Sequence, residues 1–369
     1  MKILVAGDFC PRDRVANAFE NNDYASVLEE VRDLTSKVDY SIVNLECPVG
    51  DASVKPINKI GPNLRCTEKG VEAVKYGGFD CVTLANNHFL DYGDKGVMET
   101  IKVLDSKGID HVGGGVNLDE ASRILYKDFN GERLAIINCC EHEFSIATEK
   151  TGGSNPLDLV KQYNAIKVAC HNASRVLVVV HGGHEHWQLP SPRMKETYRF
   201  FIDAGADTVV NHHQHCFSGY EVYNGKPIFY GLGNFCFDKP GHRKCKWNEG
   251  YMVVLNYDDT VGFEIHPYCQ CDSNPKVDLL PKNSFDAQIK ELNDTISDAQ
   301  KLMSITNNYY SSCAKQYSNI FEPIRNRYYL AMKQRGWLSS LISKKRKLQA
   351  ENYICCESHR DKLLWYLYH

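Results

Sequence analysis

The chain has 369 residues, enough for a large buried core and, at one domain per about 150 residues, for two units. A formal charge of −3 argues against general nucleic-acid binding, and no run of about 18 apolar residues offers a membrane span. The 15 cysteines are scattered with no Cys-x-x-Cys pair, and Met1-Lys2 runs straight into a strand-type segment with no secretion signal, so reduced thiols in a soluble, cytoplasmic protein are expected.

Taken in chain order, apolar β-type runs repeatedly end in polar groups suited to metals or phosphate. The first, Ile3 to Gly7, ends in Asp8. A helix-type segment follows from Ser26 to Ser36, then a run from Ser41 that ends in Glu46. Thr67 is placed to cap a helix reaching Tyr76, and Val82 to Ala85 then ends in Asn86-Asn87-His88. A helix is predicted over 95–107, closed by Gly108 at a position suited to a C-cap, and another over 157–173. Val176 to Val180 ends in His181, a helix is predicted over 195–204, and Thr208 to Asn211 ends in His212-His213-Gln214-His215. Strand candidates at 227–231, 252–257 and 261–266 follow, the last two joined by Asp258-Asp259 as an antiparallel hairpin.

Alternation of this kind predicts an α/β protein with mixed sheets, whose strand ends share one edge where ligands bind. It spans 1–272. From about Phe285 the chain changes character. Residues 285–369 read as a helical, partly basic extension with Lys344-Lys345-Arg346-Lys347 and the apolar stretch Leu363 to Leu367. That basic run reads as a solvated helix face or as a contact for an anionic membrane or polymer.

Two divalent cations close together need hard anionic oxygen beside imidazole and amide ligands. Asp8, Glu46, Asn87, His181, His213 and His215 supply that set. Singly, each has a plainer reading: Asp8 can cap a helix, Glu46 can be a surface charge beside Pro48, and Asn87 can hold a turn. If the segment is extended, His213 and His215 point to one side, which favours ligation. His88 is the candidate for contacting a substrate phosphate or protonating a leaving oxygen, with Asp91 orienting its ring if the chain turns there. His184 and Glu185 are candidates for hydrogen bonds that fix a ligating imidazole. Asn234 and Lys59 are candidates for substrate binding, Lys59 from the site rim. His242, Cys245, Cys269 and Cys271 offer a weaker case for a structural zinc site.

At these motifs the chain resembles the CapA-type proteins of bacterial capsule and poly-γ-glutamate synthesis. The matching blocks are Gly7-Asp8, Asn44-Leu45-Glu46, Ala85-Asn86-Asn87-His88 with Asp91 and Gly93, His181 to Glu185, Ala204 to Asp207, His212 to His215, and Tyr230 to Phe235. They cover roughly the first two-thirds of the chain. The resemblance implies a calcineurin-like metallophosphatase fold, a four-layer αββα sandwich of two mixed sheets. In that fold Glu46 would bridge two divalent metals (manganese, zinc or iron), with Asp8 and His215 on one and Asn87, His181 and His213 on the other. It implies capsule or envelope polymer biosynthesis through a phosphoesterase-like hydrolysis of a phosphorylated or anionic polymer precursor, beside capsule-synthesis partners. Alternatives are a non-catalytic metal-binding accessory protein, or amide chemistry on a γ-glutamyl polymer. One departure stands out: many related metallophosphatases carry Asp-x-His where this chain has Asp8-Phe9-Cys10, so Cys10 either ligates through sulfur or packs.

Overall fold

Alternation along the first strand decides how the layers stack. In Lys2–Phe9, Ile3 and Val5 enter a core shared with Leu177, Val179 and Val210, while Leu4 and Ala6 join the opposite core with Val27, Val31 and Val74. The first core lies between two sheets and the second lies under helices. The computed structural model describes residues 1–50, 53–355, 359 and 367.

The eight-stranded sheet runs Val277–Leu279, Val261–Gln270, Glu249–Tyr257, Lys2–Phe9, Tyr40–Leu45, Cys81–Thr83, Asp110–Val112, with Asn234–Cys236 added beside the end of Lys2–Phe9. The six-stranded sheet runs Tyr220–Tyr223, Lys226–Phe229, Thr208–His212, Arg175–His181, Glu132–Cys140, Leu125–Phe129. The six-stranded sheet has a parallel centre and antiparallel edges, while the eight-stranded one is antiparallel from Val277–Leu279 to Lys2–Phe9 and parallel from there to its Asp110–Val112 edge. Helices Ala25–Thr35, Glu68–Tyr76 and Gly93–Lys107 cover the first sheet. Leu159–Asn172 and Pro192–Ala204 cover the second, burying Ile166, Ala169, Tyr198 and Phe201. This is the four-layer mixed sandwich implied above.

Local signals place most boundaries. Thr67 accepts from the Lys69 N–H, and Gly108 closes its helix at φ 68°. Tyr257 pairs with Val261 as the expected hairpin. The helix Asp13–Glu20, which seats Val15 and Phe19, has no counterpart in the sequence reading; at eight residues it offers little period to detect.

The first compact unit is Met1–Leu302 and the second Met303–His369. The division therefore falls later than residue 285. Helix Asp286–Ser297 belongs to the first unit, because Ile289 and Leu292 join the intersheet core, Phe285 stacks on Phe217 at 4.7 Å, and the Lys195 ammonium donates to the Ile296 carbonyl. The second unit holds helices Arg327–Gln334 and Lys344–Cys355, with buried Glu322 accepting from Lys333, Tyr329 and the Leu341 N–H. Lys344 to Lys347 are exposed on their helix. Of the stretch Leu363 to Leu367, all but Leu367 lies outside the described residues. Among the described residues no helix is long and apolar enough to cross a membrane.

Gly7 is required by a close crossing. A Cβ there would lie 2.0 Å from the Gly233 carbonyl oxygen, the oxygen that accepts the Asp8 N–H at 3.2 Å. Gly7→Ala is expected to destabilise by about 2–3 kcal/mol, as overpacking of a rigid core does. Urea unfolding would read this, and an unchanged midpoint would refute the crossing.

Candidate metal centre

Parallel strands of both sheets deliver polar groups to one edge. Asp8 ends the first strand and pairs in register with Asn44 and Asn234, Glu46 follows the second, and Asn87 follows Cys81–Thr83. From the other sheet, His181 and His212 end neighbouring strands in direct register. All are buried, together with His213 and His215.

The convergence is tight. His181 Nε2 lies 3.0 Å from His213 Nδ1, 3.1 Å from Asn87 Oδ1 and 3.6 Å from Glu46 Oε1. His215 Nε2 lies 3.7 Å from the same Glu46 oxygen, and its Nδ1 3.8 Å from Asp8 Oδ2. Two triads result, Glu46–His181–His213 and Asp8–Glu46–His215, each with ligand atoms within 4.8 Å of one another. Glu46 belongs to both.

Neither oxygen of Glu46 has a hydrogen-bond partner, although both are buried. A bare buried carboxylate is costly by several kcal/mol unless a cation compensates it. Burial, and then the Asp8 charge, push the Glu46 carboxyl well above its ordinary range, and burial pushes Asp8 up to about 7. Burial and neighbouring imidazoles hold His181 and His215 well below theirs. Orphaned oxygens beside unprotonated imidazoles fit divalent cations by charge and by donor type.

A second group adjoins the first. The chain turns from His88 to Asp91, with the Asp91 N–H donating to the His88 carbonyl, and His88 Nδ1 sits 2.7 Å from Asp91 Oδ2. Lys59 does not occupy an open rim. Its side chain is 3% exposed, its ammonium pairs with Asp91, and it lies 3.1 Å from His88 Nδ1. A buried ammonium needs such a counter-charge, which draws the side chain inward.

Several expected placements differ. His213 and His215 lie beyond their strand, at φ 97° and 55°, so left-handed turns and not extended alternation bring them to the site. Glu185 is half exposed and faces His186, while the nitrogen of His181 opposite Asn87 meets Asn44 at 3.3 Å, so Asn44 takes the orienting place considered for His184 or Glu185. Asn234 is fully buried, its amide oxygen 2.9 Å from His215 Nδ1 and its NH2 donating to the Trp247 carbonyl, which turns it toward the ring and not toward a ligand. Cys10 packs in the helix-side core and is in neither triad. His242, Cys245, Cys269 and Cys271 form no ligand group among the described residues.

The sequence reading gave no role to Asn44, His212, Glu143 or Trp247. Asn44 donates to Asp8 at 2.7 Å, which a polar residue inside an apolar strand could have signalled. His212 sits 3.6 Å from Asp8 with both ring nitrogens unpartnered, and burial pushes it down to about 3. Glu143 accepts from Asn87 at 3.3 Å from a loop with no pattern of its own.

Residues 2–239 match the family model described as bacterial capsule synthesis protein PGA_cap. The chain belongs to this capsule synthesis family. It is 35% identical over 273 residues to the capsule biosynthesis protein CapA of Bacillus anthracis, covering 71% of this chain and 66%, just under two thirds, of that protein. It is 30% identical over 303 residues to the PGA biosynthesis protein CapA of Bacillus subtilis, covering 80% and 78%. A phosphatase from Mycoplasma pneumoniae superposes distantly, with a TM-score of 0.45 and 18% identity over 74% of this chain and 95% of that one.

In this PGA_cap protein the titrations give metal binding a sign. Burial raises the metal-free Asp8 carboxyl to about 7 and holds Glu46 well above its ordinary range, while burial holds His181 and His215 below theirs, so cation binding near pH 6 is expected to displace carboxyl protons. Raised carboxyl pKa values also mean that the folded metal-free chain binds more protons than the unfolded one, so their contribution falls as pH rises from about 4 to about 7. The depressed imidazoles work oppositely, losing stability below about pH 6.5. Calorimetry of manganese or zinc binding at about pH 6, in two buffers of different ionisation heat, should report proton release. Glu46→Gln should abolish the metal-induced rise in melting temperature without lowering the metal-free value; an unaltered metal response would refute the shared role of Glu46.

Proposed function

We propose that this protein is a metal-dependent hydrolase of a phosphoester in capsule or cell-envelope polymer metabolism. One observation carries the reading: two triads of buried ligand atoms share Glu46, whose oxygens have no other partner. In this reading divalent cations (manganese, zinc or iron) would be held by Asp8, Glu46 and His215 on one side and by Glu46, Asn87, His181 and His213 on the other. When bound, such a pair supplies Lewis acidity to a phosphoryl oxygen and makes a water acidic near neutral pH.

The chain's own groups do the rest. Asn44 meets Asp8 and His181 together, and Asn234 meets His215, so each ring is turned by an amide behind it. Asp91 holds His88 through Nδ1, which leaves Nε2 to meet a substrate oxygen, and Lys59 balances the Asp91 charge. Burial keeps the free His88 below its ordinary range against the pull of Asp91, so it gains its proton when an anionic substrate arrives beside it. The proposed substrate is a phosphorylated or anionic polymer precursor, met in the cytoplasm beside other capsule-synthesis proteins; the buried thiols Cys10, Cys47, Cys66 and Cys236 suit a reducing compartment.

Purified protein loaded with manganese, zinc or iron should cleave aryl phosphate mono- or diesters. His88→Ala is expected to lower kcat by about 10²–10⁴-fold, and Asp8→Ala to remove bound metal and turnover together. A γ-glutamyl anilide in the same panel separates phosphoryl from acyl attack. Metal-replete wild-type protein with no turnover above these two variants would instead be a non-catalytic accessory protein.

A further inference from the structure

Of the three imidazoles in the two triads, two have an amide behind the ring, Asn44 for His181 and Asn234 for His215. Among the described residues no amide stands behind His213. Its backbone N–H donates to Asp8 at 3.3 Å, which fixes the main chain and leaves the ring to be set by another group. The group that reaches it is Glu143, whose Oε1 lies 4.0 Å from His213 Nε2, while Oε2 accepts from the Asn87 NH2 at 3.3 Å. On their other sides, His213 Nδ1 and Asn87 Oδ1 lie 3.0 and 3.1 Å from His181 Nε2, inside the ligand cluster. One carboxylate therefore stands behind two candidate ligands of the same half of the centre.

The loop that carries Glu143 is tied to the site on both sides of it. The Glu141 N–H donates to the His181 carbonyl at 3.0 Å, while buried Ser145 accepts the Leu90 N–H on its hydroxyl at 3.3 Å and the Ser154 N–H on its carbonyl at 2.6 Å. Glu143 is thus held between a ligand of one sheet and the turn that follows His88 in the other. Its side chain is 42% exposed, in contrast to buried Asn44 and Asn234, yet its oxygens turn inward to Asn87 and His213. An amide ligates through oxygen and not through its NH2, and a neutral imidazole through whichever nitrogen lacks the proton. A carboxylate beside the Asn87 NH2 keeps the amide oxygen on the cluster side, and its charge beside His213 Nε2 draws the ring proton there, which frees Nδ1.

We propose that Glu143 is a positioning residue of the metal centre, selecting Asn87 Oδ1 and His213 Nδ1 as the metal-facing atoms. This rests on the metal reading of the centre and requires no turnover. The test titrates full-length, metal-free protein with zinc in competition with a chromophoric chelator. Wild-type protein should bind zinc, and Glu143→Ala should bind it on the order of 10–100-fold more weakly, the usual cost of losing the partner behind a ligand. Glu143→Gln keeps an acceptor for the Asn87 NH2 and should recover part of that loss. The metal-free melting temperature should stay at the wild-type value, which separates orientation of ligands from support of the fold. At saturating cobalt(II), the visible absorption bands of Glu143→Ala should match those of wild type, because no ligand has been removed. Undiminished zinc affinity in Glu143→Ala, a Gln variant no better than the Ala variant, or shifted cobalt bands, which would make Glu143 a ligand itself, would overturn the proposal and leave the metal reading intact. Wild-type protein that binds no zinc would remove both. If Glu143→Ala melts lower without metal, Glu143→Gln, equal in shape to the native residue, decides in its place, and wild-type zinc affinity in that variant overturns the proposal.

Discussion

Everything at this edge depends on the problem of a carboxylate that water cannot reach. Glu46 is surrounded by imidazole nitrogens and by a second buried acid, Asp8, with no donor on either oxygen. Hydrogen bonds are plentiful nearby: Asn44, Asn87 and Asn234 each serve a neighbour, yet none serves Glu46. A fold that satisfies the surrounding amides and leaves one acid bare has arranged its charges for something positive to sit among them.

The sandwich makes that arrangement affordable in conformational terms. Each candidate ligand lies at or just beyond the end of a buried strand whose position is fixed by packing on both faces, so little side-chain freedom remains to be lost on assembly. The Gly7–Gly233 crossing and the Asp8–Asn234 register tie the first strand to the short one that carries Asn234. On the side of the second sheet, His213 and His215 adopt left-handed backbone conformations.

Much of this was legible in the sequence because apolar runs ending in Asp, Glu, Asn or His mark strand ends directly, and Thr67 and Gly108 mark helix ends through local backbone chemistry. The convergence of two strand sets could be expected from the family motifs. What was not legible depended on tertiary partners. Lys59 looks like a surface lysine until Asp91 is placed beneath it. Asn234 looks free to meet a ligand until His215 and Trp247 occupy its amide. Helix Asp286–Ser297 looks like the start of an extension until Phe285 and Ile289 are found between the sheets. The turns at His213 and His215 defeat a two-residue period, since no local rule places positive φ at histidine.

The segment before Leu64 has one more consequence. Ile57 and Leu64 donate their N–H groups to the Asp91 carbonyl and carboxylate at 2.9 and 2.6 Å, and Lys59 joins them, while Ile60 at the tip is 87% exposed. A flap pinned in this manner cannot lift without loosening Asp91, and with it the grip on His88. Movement of this segment and the orientation of the His88 ring are therefore mechanically interlocked, because one carboxylate serves both.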